Sequence, residues 1–418
     1  MSSLDLPERD LRSIQLPMLG KVVPSGGVVP WVVLDAAGEP VEPVMRYLRD
    51  FMARGNRPGS VRSYAYDLRR WWRFLAAIEV EWDKATSREV CDFVLWIQSN
   101  TKPRRFSRTV SARTAGKINP VTRKRYLSDR YEPTTVRHSN SVLRSFYEFW
   151  IETGEGPLVN PVPRDHGERR PNAHHNPLEP YRAEGRLRYN PKLPKRRPRS
   201  MPDERWRDLF GSMRSNRDRA ILSLAISTAA RANELLGMTG ADVDWGDQLI
   251  RVRRKGSDAE QWLPASPEAF VWLRLYWHEV DGIGPNDPLW VTLRRRRRGP
   301  DSGLERRSLN YEALRAVLRR ANERLGSNWT MHDARHTCAI RMVRDERLSL
   351  RDVQTILGHA HLTTTQIYLE EDEHEVIMRV REHLGDRQDR AARPATPAQG
   401  YQQADLDVLF GGSFGHDD

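Results

Sequence analysis

Six residues in the second half of the chain have types and spacings suited to one kind of chemistry: Arg231, Lys255, His332, Arg335, His359 and Tyr368. They sit in the strings TAARANELL, RRKG, MHDARHT, LGHA and TTTQIYL. Alone, each is unremarkable, since an arginine in a helix is usually a surface residue and a tyrosine usually a core one. Together they supply what phosphodiester exchange needs. Attack of an oxygen nucleophile on a phosphodiester piles negative charge on the phosphoryl oxygens, and fixed cations must already be in place to meet it. Two arginines suit that task, because each stays charged and can bind two oxygens at once. A phenol, with a reference pKa of ~10, can serve as a tethered nucleophile and later as a leaving group. A lysine can give a proton to a departing hydroxyl oxygen. On a helix His332, Arg335 and His336 are neighbours through i,i+3 and i,i+4 spacing, so the first two can face one site.

The order and spacing of these strings resemble the catalytic set of the tyrosine recombinase (phage integrase) family. The resemblance spans roughly residues 40 to 390 and is most specific between 200 and 375. It implies that Arg231 and Arg335 are the paired phosphate-binding arginines, and that Glu234 is the carboxylate fixing the fold around the first. Ala229 stands where the family most often has glycine. The resemblance implies that Tyr368, nine residues after His359, is the nucleophile, that His359 donates to a nonbridging phosphate oxygen, and that His332 assists proton transfer at the tyrosine. Lys255 matches the lysine thought to act as general acid, with Arg253 and Arg254 as neighbouring alternatives. His336 is expected to buttress the site rather than react. Tyr276, Tyr311 and Tyr401 compete for the nucleophile's place but lack its context.

These residues need elements to position them. From Val44 onward apolar residues recur at helical spacing. Val44, Tyr47, Leu48 and Phe51 mark one helix. Val61, Tyr64, Leu68, Trp71, Trp72 and Leu75 mark a second, with Ser60 as its expected N-cap. A third is expected over Ser87 to Gln98 and a fourth over Pro133 to Thr153. Beyond residue 200, helices are expected near Trp206, over 219–227, 266–279, 308–325, 333–346, 349–357 and 362–383. A hairpin-like stretch, GADVDWGDQLIRVRRKGSDAEQWLPAS, lies among them. The expected fold is mainly α: an all-α domain over 41–154, which the resemblance makes a core-binding (SAM-like) domain, then an α+β catalytic domain over 200–388 with a small β-sheet. Residues 1–40 read as an N-terminal extension with a loop at PSGGVVP, 155–199 as a linker, and 389–418 as a tail.

Bulk properties fit a polyanionic partner. The net charge is +12, and the basic load is 60 Arg against 8 Lys. Double-stranded DNA is therefore the expected partner, with contacts assigned to Arg62, Arg69, Arg104, Arg105, Arg123, Lys124, Arg253, Arg254, Arg294, Arg295 and Arg296. Arg104, Arg105, Arg123 and Lys124 lie in a basic insertion at about 100–132, which reads equally as a solvated loop. The run Arg294 to Arg298 reads as a backbone clamp or a solvated charge run.

No cofactor and no metal is expected. There is no Asp/Glu cluster of the two-metal kind and no GxxxxGK[ST] loop, and His174 and His175 have no third ligand at metal spacing. Only Cys91 and Cys338 occur, which points to a reducing cytosol and a cytoplasmic protein. No apolar run approaches the ~18–20 residues of a membrane span, and the N-terminus lacks the basic-then-apolar pattern of a secretion signal.

The resemblance implies a site-specific recombinase or integrase working through a 3′-phosphotyrosine. Its protein partners would be further copies of itself, four on two DNA sites, with a monomer or weak oligomer when free. The long insertion and linker lean towards a mobile element. Two alternatives are a catalytically silent DNA-binding relative and a type IB topoisomerase-like enzyme. In the tail, Leu406, Val408, Leu409 and Phe410 form an apolar cluster expected to dock on a neighbouring protomer.

Overall fold

The computed structural model describes residues 9–18, 20–102, 114–165, 186–194, 198–297, 303–359, 361–368 and 380–381. The tail cluster, Tyr401, Arg104, Arg105, His174, His175 and Arg298 lie outside the described residues. The chain divides into two compact units, one mainly of residues up to Arg196 and one mainly from Arg197 onward.

In the first unit a β-hairpin, β1 (Lys21–Pro24) and β2 (Trp31–Leu34), is antiparallel with Val22 opposite Val33. PSGGVVP is its loop. Four helices follow: α1 (Glu42–Ala53), α2 (Pro58–Ala77), α3 (Ser87–Ser99) and α4 (Pro133–Glu152). The apolar stripes named from the sequence pack with apolar faces of α3 and α4 to form their core, with Tyr47, Leu68, Trp71, Phe93, Phe146 and Tyr147 wholly buried. The start of α2 differs from expectation. Arg57 is its N-cap and Pro58 opens the first turn, so Ser60 already lies inside the helix. Proline suits that place because the first-turn N–H has no helical partner in any case. The α3 start is a full capping box between Thr86 and Glu89.

One buried polar group is prominent here. Asp67 on α2 accepts from Ser139 Oγ at 2.7 Å and Arg70 Nη1 at 2.5 Å, and pairs with His138 Nδ1 at 2.6 Å. Residues placed in the linker by composition also have structure on this unit. Val162 is buried and its carbonyl accepts from Arg144 Nη1, while the Tyr189 carbonyl accepts from Asn140 Nδ2. In the described part of the insertion, Asn119 is buried and its Oδ1 accepts from the backbone of Val121 and Thr122.

The second unit begins with α5 (Asp203–Gly211), α6 (Asn216–Thr228) and a short α7 (Ala232–Leu236). A three-stranded antiparallel sheet comes next, in the order β3 (Val243–Asp244), β4 (Leu249–Arg253), β5 (Glu260–Pro264). Helix α8 (Pro267–Glu279) follows, then the two-stranded β6 (Arg296–Arg297) and β7 (Leu304–Glu305). The unit continues with α9 (Tyr311–Leu325), α10 (Met331–Arg344), α11 (Leu350–Leu357) and α12 (Leu362–Gln366). Beyond Tyr368 the expected long helix lies outside the described residues, save 380–381. Helix α6 is buried on nearly every side and packs against α8 and α10, which makes it the central post of this unit. Helices α10 and α11 both open on capping boxes, Thr330 with Asp333 and Ser349 with Asp352, so their starting residues are set locally.

Candidate active site

Five of the six residues singled out from the sequence stand around one carboxylate or one phenol of the second unit. Arg231 is the N-cap of α7, and Glu234 three residues on is the cap's partner. The Glu234 carboxylate is 2% exposed. It accepts from Arg231 N at 2.8 Å, Arg231 Nη1 at 2.8 Å, Arg254 Nη1 at 3.1 Å and Lys255 N at 3.3 Å. One side chain thus holds both the first arginine and the turn that carries the lysine. Burial alone would push this carboxyl up. The bonds from Arg231 and the charge of Arg254 outweigh burial and hold it below the usual carboxylate range. The Lys255 side chain is exposed at the tip of the β4–β5 hairpin.

Arg335, on α10, is 3% exposed. Its Nη1 donates to the Ala229 carbonyl at 2.5 Å and its Nη2 to the Leu357 carbonyl at 2.8 Å. Those carbonyls end α6 and α11, where helices leave acceptors unpaired and their dipoles favour a cation. Burial first, then the charge of Arg231, brings this guanidinium down to about 10, so it remains charged at neutral pH. Ala229 closes α6 with φ +53°, a left-handed conformation that glycine adopts more readily.

His359 follows Gly358, the left-handed C-cap of α11. Burial, then Arg335, Arg231 and Arg254, push its imidazole down to about 4. It is therefore neutral at pH 7 and has one donor and one acceptor. Arg335 Nη2 can only donate, so His359 Nε2, at 3.1 Å, accepts. His359 Nδ1 then carries the proton towards Thr365 Oγ1 at 3.0 Å. The nitrogen facing the site is therefore an acceptor here.

Tyr368 is 8% exposed, and its ring stacks on that of His359 with centroids 6.4 Å apart. Its hydroxyl lies 2.9 Å from His336 Nδ1. His332 stands behind His336, ring centroids 4.1 Å apart. The place beside the phenol thus falls to His336, which had been expected to support the site, rather than to His332. Burial raises the phenol above its ordinary value, against the pull of Arg335 and Arg231. The competing Tyr276 is wholly buried and donates to the Leu289 carbonyl at 3.0 Å, a core role.

Arg254 is 4% exposed and turned inward, so it cannot be the DNA contact expected from the sequence. Strand alternation carried the signal: Ile250, Val252 and Arg254 share the buried face, while Arg253 points out and pairs with Glu260 at 3.3 Å. Among the other expected contacts, Arg62 is exposed and covers the Trp31 and Tyr66 rings, and Arg69 is half-buried. Arg123 is exposed and Lys124 half-buried in the insertion. Arg294 is exposed, and Arg295 pairs with Asp281 at 3.2 Å across solvent. The backbone of Arg296 is in β6, and its side chain is outside the described residues. Among the described residues no group of three His, Cys, Asp or Glu side chains could hold a metal, and no helix is long and apolar enough to cross a membrane.

The mostly helical second unit, with two arginines, histidines and a buried tyrosine gathered at helix ends, has the architecture of a tyrosine recombinase catalytic domain. Comparison with known families agrees, since residues 203–375 match the phage integrase family. Transposase A from transposon Tn554 of Staphylococcus aureus is 23% identical over 348 residues, 80% of this chain and 88% of that protein. Tyrosine recombinase XerC of Azotobacter vinelandii is 32% identical over 202 residues, 44% of this chain and 62% of that protein. Among solved structures, the Tn1549 transposon integrase in complex with circular intermediate DNA superposes with a TM-score of 0.51 at 12% identity, covering 81% of this chain and 98% of that one. A lambda integrase dimer bound to a COC′ core site gives 0.51 at 14%, covering 78% and 76%. The recombinases in this set are enzymes that break and rejoin DNA strands.

Proposed function

We propose that this protein is a site-specific DNA recombinase of a mobile element, cutting and rejoining strands through a phosphotyrosine at Tyr368. The observation that carries the reading is the Tyr368 hydroxyl, held against His336 in a pocket whose fixed charges are Arg231 and Arg335. A DNA phosphate entering there meets the positive charge of both guanidinium groups, which lowers the energy of the charge that builds up during attack. With the proton of His336 on Nε2, Nδ1 accepts the phenol proton as Tyr368 Oη attacks phosphorus. The strand's 3′-phosphate becomes bonded to the tyrosine, and the 5′ oxygen leaves with a proton from Lys255. The phosphate charge offsets those of Arg335, Arg231 and Arg254, which raises His359 towards protonation and lets Nε2 donate to a nonbridging oxygen. The new phosphodiester keeps the energy of the broken bond, so a 5′-hydroxyl reverses the step without a nucleotide cofactor.

Double-stranded DNA is the partner, and four copies of the chain act on two sites. The mobile-element setting is supported by the transposon relative, which aligns along most of both chains, whereas the XerC likeness covers less than half of this one. The test is to supply purified protein with two copies of the DNA flanking its gene. Joining of those two sites, with no relaxation of an unrelated supercoiled plasmid, is the expected result. Relaxation of any supercoiled plasmid without joining would show a topoisomerase, and binding without either reaction a silent relative.

A further inference from the structure

The chemistry above gives Arg254 no direct part, yet this buried guanidinium joins three pieces of the site. Nη1 donates to Glu234 Oε2 at 3.1 Å, Nε donates to Gln261 Oε1 at 2.8 Å, and Nη2 donates to the Ile356 carbonyl. Gln261 continues the link, its Nε2 donating to the Thr355 carbonyl at 2.9 Å. Thr355 and Ile356 are in the last turn of α11, directly ahead of Gly358 and His359. On its other side Arg254 precedes Lys255, whose own N–H reaches the same carboxylate. The fit beneath Gly358 is close. A Cβ there would come within 2.7 Å of Arg254 Nε, and the backbone φ is +61°, so glycine is the residue this contact admits.

We propose that Arg254, with Gln261, is a positioning residue: its fork fixes the Lys255 turn against the His359 turn, so that proton delivery to the leaving oxygen depends on it. This rests on the reading of Lys255 as the general acid. Lysine at 254 keeps a charge for Glu234, but a single ammonium cannot span Glu234, Gln261 and Ile356 together. Gln261→Leu keeps volume and removes the second half of the link.

The experiment measures single-turnover cleavage of a nicked duplex taken from the DNA flanking the gene, in two forms. In one the bridging 5′ atom is oxygen, and in the other sulfur. A thiolate, whose conjugate acid has a pKa of ~8.5, leaves without a donated proton. Wild type and Lys255→Ala are the controls. Lys255→Ala should lose about 10²–10⁴-fold on oxygen and recover on sulfur. If it does not recover, the general-acid reading itself falls. With that control in place, Arg254→Lys should lose roughly 10–100-fold on oxygen, the scale of a small misplacement, and regain most of it on sulfur. Gln261→Leu should move the same way by less. Equal losses on both substrates for both variants would make the pair a plain fold support and overturn the proposal, as would no loss on either.

Discussion

Glu234→Gln isolates the carboxylate on which the site is built. The substitution keeps size and shape and removes the charge. Four N–H groups now point at its two oxygens, from Arg231 N, Arg231 Nη1, Arg254 Nη1 and Lys255 N. A glutamine has one acceptor oxygen, and its NH₂ would face donors. Two of the four bonds are lost, and Arg254, buried with 4% exposure, loses the charge of its Glu234 partner. Removing one partner of such a buried pair costs about 3–5 kcal/mol. At roughly 2–4 °C per kcal/mol for a unit of about this size, the melting temperature should fall by about 6–12 °C if the cost is at the low end. The sign with pH follows from the lowered carboxyl. Its contribution is fully present above the unfolded value, about 4.3, and fades as pH falls through the lower folded value. The gap between wild type and variant should therefore be full at pH 7.5 and shrink in acid. Thermal unfolding followed by near-ultraviolet circular dichroism at stepped pH measures both. A variant within about 2 °C of wild type at pH 7.5, with an unchanged acid slope, would refute the central place given to Glu234.

The arginines and Ala229 give further tests. Arg231→Ala or Arg335→Ala should cost about 2.7–4 kcal/mol in single-turnover cleavage while DNA affinity in gel-shift titration stays nearly unchanged, because each charge is needed most in the transition state. Near wild-type cleavage in either would mean the phosphate binds elsewhere. Ala229→Gly should leave stability within about 1 kcal/mol in denaturant titration, since relief of the left-handed strain offsets glycine's entropy and the lost methyl. Ala229→Val should cost more than about 2 kcal/mol, because a β-branched residue fits neither that conformation nor the fully buried site.

The candidate site residues were legible in the sequence because their choice depends on residue type and local spacing. Glu234 was placed beside Arg231 by the resemblance, and the structure gives the reason, a capping box at the start of α7. Tertiary partners were not legible. That Arg335 would cap two helices, at Ala229 and Leu357, follows from where α6 and α11 end in space, which no local pattern states. His332 and His336 are i,i+4 neighbours on α10, and only the position of α12 decides which one meets Tyr368. Arg254 was misread for a different reason. In VRRKG the charge suggested solvent, while the two-residue alternation after Ile250 and Val252 pointed inward, and the partners Glu234 and Gln261 made inward tenable. The β1–β2 hairpin escaped because Gly and Pro at its loop masked two short valine-rich strands.

The central claim is that Tyr368 carries the DNA. It is tested most directly by trapping the protein on a nicked suicide substrate from the DNA flanking its gene, in excess EDTA, and mapping the adduct peptide by mass spectrometry. A 3′-phosphoryl nucleotide on Tyr368, absent in Tyr368→Phe and formed at an undiminished rate with the chelator present, is the predicted result. A covalent adduct that persists in Tyr368→Phe, or cleavage that stops without a divalent metal, would contradict it.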